Sequence, residues 1–234
     1  MSCKSPNTVK MFRKSLENKQ VKYIAVEGVI GVGKTSLSRK LAERLDAKLI
    51  LEEFEDNPFL KNFYEDPARF AFYTQMYFLL KRYKQLQEMG QETLFHEYTV
   101  ADYIFEKDRI FAYMNLNDED LKIYEMLANH IQKNIVNPDL IIYLQSTPER
   151  LFANIKHRDR EEEREITLEY IEKLNEAYNY FFFRYKASKV LIVNATEIDF
   201  INSSEDFENL IAQIIKPGHS SMEYYDPVQK RIAK

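Results

Sequence analysis

Eight residues constrain this chain more than any others: Gly28-Val29-Ile30-Gly31-Val32-Gly33-Lys34-Thr35. They fit the phosphate-loop pattern of glycine, four residues, glycine, lysine, then serine or threonine. The chain holds only five glycines, and Gly28, Gly31 and Gly33 all fall here. A chain so sparing of glycine uses it where positive φ or close backbone approach is needed. Before the loop runs Tyr23-Ile24-Ala25-Val26, an apolar strand-forming run. After it, from Ser36 on, Leu37, Leu41 and Leu45 stand at helical spacing. In a strand–loop–helix, the loop N–H groups and the positive end of the helix dipole face a polyphosphate. Lys34 then reaches the β- and γ-phosphates, and the Thr35 hydroxyl can ligate Mg²⁺. A chance match on a glycine turn would not carry both flanks.

The rest of the chain alternates in the same way. Lys48 to Leu51 reads as a second strand, ending at Glu52-Glu53. Asn57-Pro58 and Asp66-Pro67 each look like a cap followed by proline at a helix start. A short helix is expected from Pro58 and a long one from Pro67 to about Met89. Tyr98 to Ala101 reads as a strand ending at Asp102, Asp118 to about Ile135 as a helix, and Leu140 to Leu144 as a buried strand. Thr147-Pro148 opens a helix towards His157, and the charged segment 158–165 interrupts it. A helix from Leu168 to about Lys186, a strand Val190 to Val193 and a helix Asp206 to Ile215 follow. Such alternation predicts a three-layer α/β fold with a parallel sheet covered on both faces. The length suits one domain, 21–216, with a basic lead-in 1–20 and a polar, peripheral tail 217–234.

Composition removes several functions. A net charge of −4 gives no field for nucleic acid, and no apolar run is long enough to span a membrane. The single cysteine, Cys3, cannot close an internal disulfide and suits a reducing compartment. The lead-in lacks the apolar core of a signal peptide and the arginine content of a transit peptide, so a cytoplasmic location is expected over organellar import.

Glu52, Asn57-Pro58-Phe59-Leu60, Phe63-Tyr64-Glu65-Asp66-Pro67, Phe70-Ala71-Phe72, Gln75 and Arg82, in this order, resemble the deoxynucleoside kinases. Asp102-Tyr103-Ile104-Phe105 with Phe111-Ala112 is similar to their bacterial deoxyguanosine/deoxyadenosine kinase branch. So is Arg158-Asp159-Arg160, followed by Glu163, Ile166 and Tyr170 to Asn175. The resemblance spans Val21 to Ile215. It implies the fold of the phosphate-loop NTP hydrolases, with a five-stranded parallel sheet, a lid at about 158–165 and a homodimer. It also implies transfer of the γ-phosphoryl of ATP or another NTP, with Mg²⁺, to a deoxynucleoside 5′-hydroxyl in nucleotide salvage. In this branch the acceptor is a purine deoxynucleoside.

On spacing alone, Glu52 and Glu53 could be two solvated carboxylates. Doubly wound sheets, however, place ligands at strand carboxyl ends, and alternation lets only one of the pair face the cleft. The resemblance makes Glu52 the general base. Gln75 and Arg82, seven residues apart on the long helix, fall nearly on one face. The resemblance has Gln75 pair with the base, Arg82 line the same pocket and Phe111 pack on the base. It has Tyr64 and Glu163 hold the sugar 3′-hydroxyl, and Arg158 and Arg160 close on the phosphates. The ATP cradle is Gly28, Val29, Ile30, Gly31, Val32, Gly33, Lys34, Thr35 and Ser36.

One departure stands out. Many family members carry acid-arginine-serine where this chain reads Ala101-Asp102-Tyr103. Asp102 could serve the metal through water, but the arginine that would steady the base is missing. Asp159 replaces a common glycine, and Asn154 an occasional arginine. Two other readings compete. A nucleoside monophosphate kinase would need a basic acceptor-phosphate site, which the Glu52-to-Pro58 stretch suits poorly. A kinase-fold assembly subunit without catalysis would have no use for Gly33-Lys34-Thr35, Glu52 and both lid arginines.

Overall fold

The apolar runs become the strands of one parallel sheet in the computed structural model, which describes residues 21–53, 56–91, 97–216 and 218–227. The lead-in 1–20, with Cys3, and the last tail residues, 228–234, lie outside the described residues. The strands are β1 (Tyr23–Gly28), β2 (Lys48–Ile50), β3 (Thr99–Ala101), β4 (Leu140–Gln145), β5 (Lys189–Asn194) and β6 (Met222–Tyr225). Their order is β2-β3-β1-β4-β5-β6, and every neighbouring pair is parallel. The chain runs from β1 outwards to β2, back to β3, then across β1 to β4. That reversal opens a crevice at the carboxyl ends beside β1, where such sheets bind ligands.

Helices cover both faces, so the inner strands are apolar throughout: Ile24, Ala25, Val26, Ile141 and Ile142 are wholly buried. Helix α1 (Lys34–Leu45) turns Leu37, Leu41 and Leu45 into the same core. Next come α2 (Leu60–Glu65), α3 (Pro67–Gln91), α4 (Lys107–Asn115) and α5 (Asp118–Gln132). A second core of Tyr23, Leu79, Tyr103, Tyr124 and Ala128 joins α3 and α5 to the β1–β3 side. Helices α6 (Pro148–Arg158), α7 (Leu168–Arg184) and α8 (Ser204–Ile214) complete the layers. Thr147, Thr167 and Ser203 cap these three, each accepting a backbone N–H of the first turn.

The structure corrects the sequence reading in three places. The sheet has six strands, not five, and the sixth comes from the segment read as a peripheral tail. That tail is polar because its polar groups build the turn into β6. Glu223 accepts the Ser220 N–H at 2.8 Å and lies 3.1 Å from His219 Nδ1, while Tyr225 is buried. Helix α2 starts at Leu60, because Asn57 Oδ1 accepts the Phe59 N–H at 3.0 Å and holds a turn there. Helix α4 was not expected at all.

Candidate active site

The phosphate loop joins β1 to α1 in a conformation only glycine permits. Gly31 and Gly33 have φ of 90° and 98°. A Cβ on Gly28 would lie 2.5 Å from the Leu144 carbonyl oxygen, and one on Gly31 2.6 Å from that of Leu151. The loop therefore packs directly on β4 and α6. Asn154 Nδ2 donates to the Gly31 carbonyl at 2.9 Å and fixes α6 against it. Lys34 Nζ donates to the carbonyls of Gly28 (2.8 Å) and Val29 (3.2 Å). Burial, with repulsion from Lys107, lowers the Lys34 pKa to about 8. Beneath the loop, Glu27 is buried and accepts the N–H groups of Gly28 (2.9 Å) and Ile104 (3.0 Å). Burial raises its pKa.

Asp102 ties three elements together. Its Oδ2 accepts the Thr35 hydroxyl at 2.6 Å, and its Oδ1 accepts the Glu52 N–H at 2.7 Å. The Glu52 side chain is held at both oxygens. Oε1 accepts Arg82 Nε at 2.9 Å and also Nη2, while Oε2 accepts Lys107 Nζ. The other arm of Arg82 reaches Asp108, which accepts the Tyr124 hydroxyl at 3.0 Å. Burial alone would raise the Glu52 pKa, but Lys107 and Arg82 override it and hold the carboxyl well below the usual carboxylate range. Burial pushes Asp108 up to about 6 against the pull of Arg82. Glu53 is exposed and pairs with Lys81 at 2.8 Å, away from this network.

Lys34, Thr35, Glu52, Arg82, Asp102 and Lys107 line one partly open cleft. Ile30, Gly31, Lys34, Thr35 and Asp102 form its phosphate-loop side. Gln75, Phe78, Arg82 and Phe111 form another wall, and Tyr64, Arg158, Arg160, Glu163 and Tyr170 the lid side. Gln75 is 2% exposed, and among the described residues nothing donates to its Oε1. Tyr64 meets Tyr170 edge-on at 6.1 Å, and burial raises its hydroxyl pKa. In the lid, α6 ends at Asp159 with φ of 42°, a left-handed turn that glycine would also satisfy. Arg158 then grips Glu163, with Nε donating to Oε2 at 2.7 Å.

A deoxynucleoside kinase family model matches residues 24–217. The chain belongs to the deoxynucleoside kinase family. It is 32% identical to a deoxyguanosine kinase of Bacillus subtilis (strain 168) over 82% of this chain and 95% of that one. It is also 32% identical to a deoxyadenosine/deoxycytidine kinase of the same organism, covering 86% and 94% of the two chains. Among solved structures, it matches a deoxyadenosine kinase from M. mycoides with bound dATP. The TM-score is 0.72 and the identity 26%, over 83% of this chain and all of that one. The kinase is thus a phosphotransferase. Neither the monophosphate kinase nor the inactive-subunit reading is favoured.

Sequence reasoning missed part of this kinase's cleft. Lys107, Asp108 and Tyr124 were not singled out, yet they complete the Glu52 network. The available signal was the short run from Asp102 to Lys107.

Proposed function

We propose that this kinase moves the γ-phosphoryl group of ATP, or another NTP, to the 5′-hydroxyl of a purine deoxynucleoside in nucleotide salvage. The observation that carries the base assignment is Gln75, a buried amide in the cleft with an unsatisfied carbonyl. An unpaired buried acceptor costs about 1–3 kcal/mol, which a base N–H would recover. An amide offers donor and acceptor side by side, matching the edge of a nucleobase. Phe111 and Phe78 supply apolar surface for its ring, and the names of the relatives favour purines.

Tyr64 and Glu163 hold the sugar 3′-hydroxyl, leaving little room for a ribose 2′-hydroxyl. Glu52 accepts the proton of the 5′-hydroxyl as its oxygen bonds to the γ-phosphorus and the bond to the β,γ-bridging oxygen breaks. A carboxylate kept ionised by two cations is a weak base. It suffices because the transition state is loose, and the hydroxyl becomes acidic only as the new bond forms. Lys34, Arg158 and Arg160 face the charge on the moving phosphoryl. Thr35 and Asp102 suit Mg²⁺, and the described residues hold no cluster of three ligating side chains. Mg²⁺ commonly keeps its waters and substrate phosphates and takes few protein ligands. When bound, it neutralises phosphate charge.

The enzyme acts as a cytoplasmic homodimer. Among the described residues no helix is long and apolar enough to cross a membrane. Tyr73 and Leu80 on α3, and Ile123 and Met126 on α5, are exposed apolar side chains that a second copy could cover. The test of the reaction is a panel of the four deoxynucleosides with ATP. Turnover led by deoxyguanosine or deoxyadenosine is expected. A clear preference for thymidine or deoxycytidine overturns the purine assignment, and no turnover at all overturns the reaction.

A further inference from the structure

We propose that Lys107 is a positioning residue for phosphoryl transfer, clamping one oxygen of the Glu52 carboxylate while Arg82 clamps the other. The proposal rests on the reading of Glu52 as the base. Lys107 opens α4, and its side chain is 5% exposed. Both facts are unfavourable for the fold alone. The first turn of a helix is its positive end, which disfavours a cation. Burying an ammonium costs several kcal/mol, and a well-packed apolar side chain is often at least as stabilising. Lys107 also repels Lys34, a half-buried cation beside it.

The geometry accounts for this arrangement. Arg82 reaches only Oε1 of Glu52 and also serves Asp108. With Arg82 alone the carboxylate could rotate about its last bond. Lys107 on Oε2, coming from a different helix, fixes the plane of the carboxylate. The charge balance permits it: two cations, Arg82 and Lys107, are shared between two carboxylates, Glu52 and Asp108. Removing Lys107 leaves Glu52 still paired, so the fold should tolerate the change.

A double-mutant cycle decides the matter. kcat and deoxynucleoside KM are measured for Lys107→Met, Lys107→Arg, Glu52→Gln and the Glu52→Gln/Lys107→Met pair, with thermal melts to verify folding. Lys107→Met should lower kcat by up to about 10²-fold with KM little changed, as a misplaced reacting group does. Lys107→Arg should restore most of that loss. The double mutant should be no slower than Glu52→Gln alone, since Lys107 acts through Glu52. Losses that multiply, or an effect of Lys107→Met confined to KM, would overturn the proposal. Near-normal kcat in Glu52→Gln would instead overturn the base reading, a distinct result. Should Lys107→Met fail to fold, Lys107→Gln takes its place in the same cycle.

Discussion

Two charged clusters contribute to the lining of the cleft, and they are built differently. The Glu52 cluster joins residues far apart in sequence: Glu52 to Arg82, Glu52 to Lys107, and Arg82 to Asp108. It is deeply buried, and it ties the end of β2 to α3 and α4. The lid cluster is local. Arg158 and Glu163 are five residues apart, and the Arg158 side chain is 33% exposed. Arg164 and Asp159 pair on the same short segment. One cluster is thus set by the fold before any ligand arrives. The other is a set of neighbours that can exchange partners cheaply. On the mechanism proposed above, the difference gives fixed geometry to the acceptor hydroxyl and adaptable charge to the phosphates.

Lys34 belongs to neither cluster and supplies the reference point. Lys34→Ala should reduce kcat on the order of 10³-fold or more while the protein stays folded. Near-normal turnover in a folded variant would remove the phosphate loop from the mechanism.

Removing Asp108 from the buried cluster should cost the fold. Asp108→Ala leaves Arg82 one counter-charge short, and losing a partner of a buried pair costs about 3–5 kcal/mol. Arg158→Ala should cost less, because the Arg158 side chain is one-third exposed although its partner Glu163 is buried. Denaturant titration of both variants checks this, and equal losses would erase the contrast between the clusters.

Within the buried cluster, Glu52→Gln should lower kcat about 10²–10⁴-fold at saturating ATP with binding largely kept. Arg158→Ala and Arg160→Ala should each lower kcat by about 10²-fold, and more than they weaken nucleoside binding. A change in nucleoside KM alone would move these arginines from the phosphates to the nucleoside. The smallest effect belongs to Glu53→Gln. Its exposed pair with Lys81 lies outside the cleft, so kcat should stay within about twofold of wild type. The opposite pattern for Glu52 and Glu53 would transfer the role of base.

What the sequence revealed follows the same division. The loop was legible because close packing forces glycine at Gly28 and Gly31, and a forced residue is a visible one. Leu37, Leu41 and Leu45 declared α1 through their spacing. Glu52, Gln75 and Arg82 were legible only through resemblance, since a buried charge and a solvated one look alike in sequence. Lys107 and Asp108 stayed hidden for that reason: within Glu106-Lys107-Asp108-Arg109 they read as a solvated helix face. Burial of that charge depends on partners 26 and 55 residues away. Strand β6 was hidden because its four residues bury little, with only Tyr225 fully inside.

That last strand bears on how the protein survives at high concentration. Without it, β5 would present the open edge of the sheet, and Val190-Leu191-Ile192-Val193 is an apolar ladder suited to pairing with other chains. The strand that takes its place is short, and Pro227, which has no N–H to offer, follows it closely. Strand β6 also lies beyond the residues matched to the family. Its contribution is colloidal: it blunts a sticky edge on a kinase whose cleft lies at the opposite, β2-β3-β1 half of the sheet.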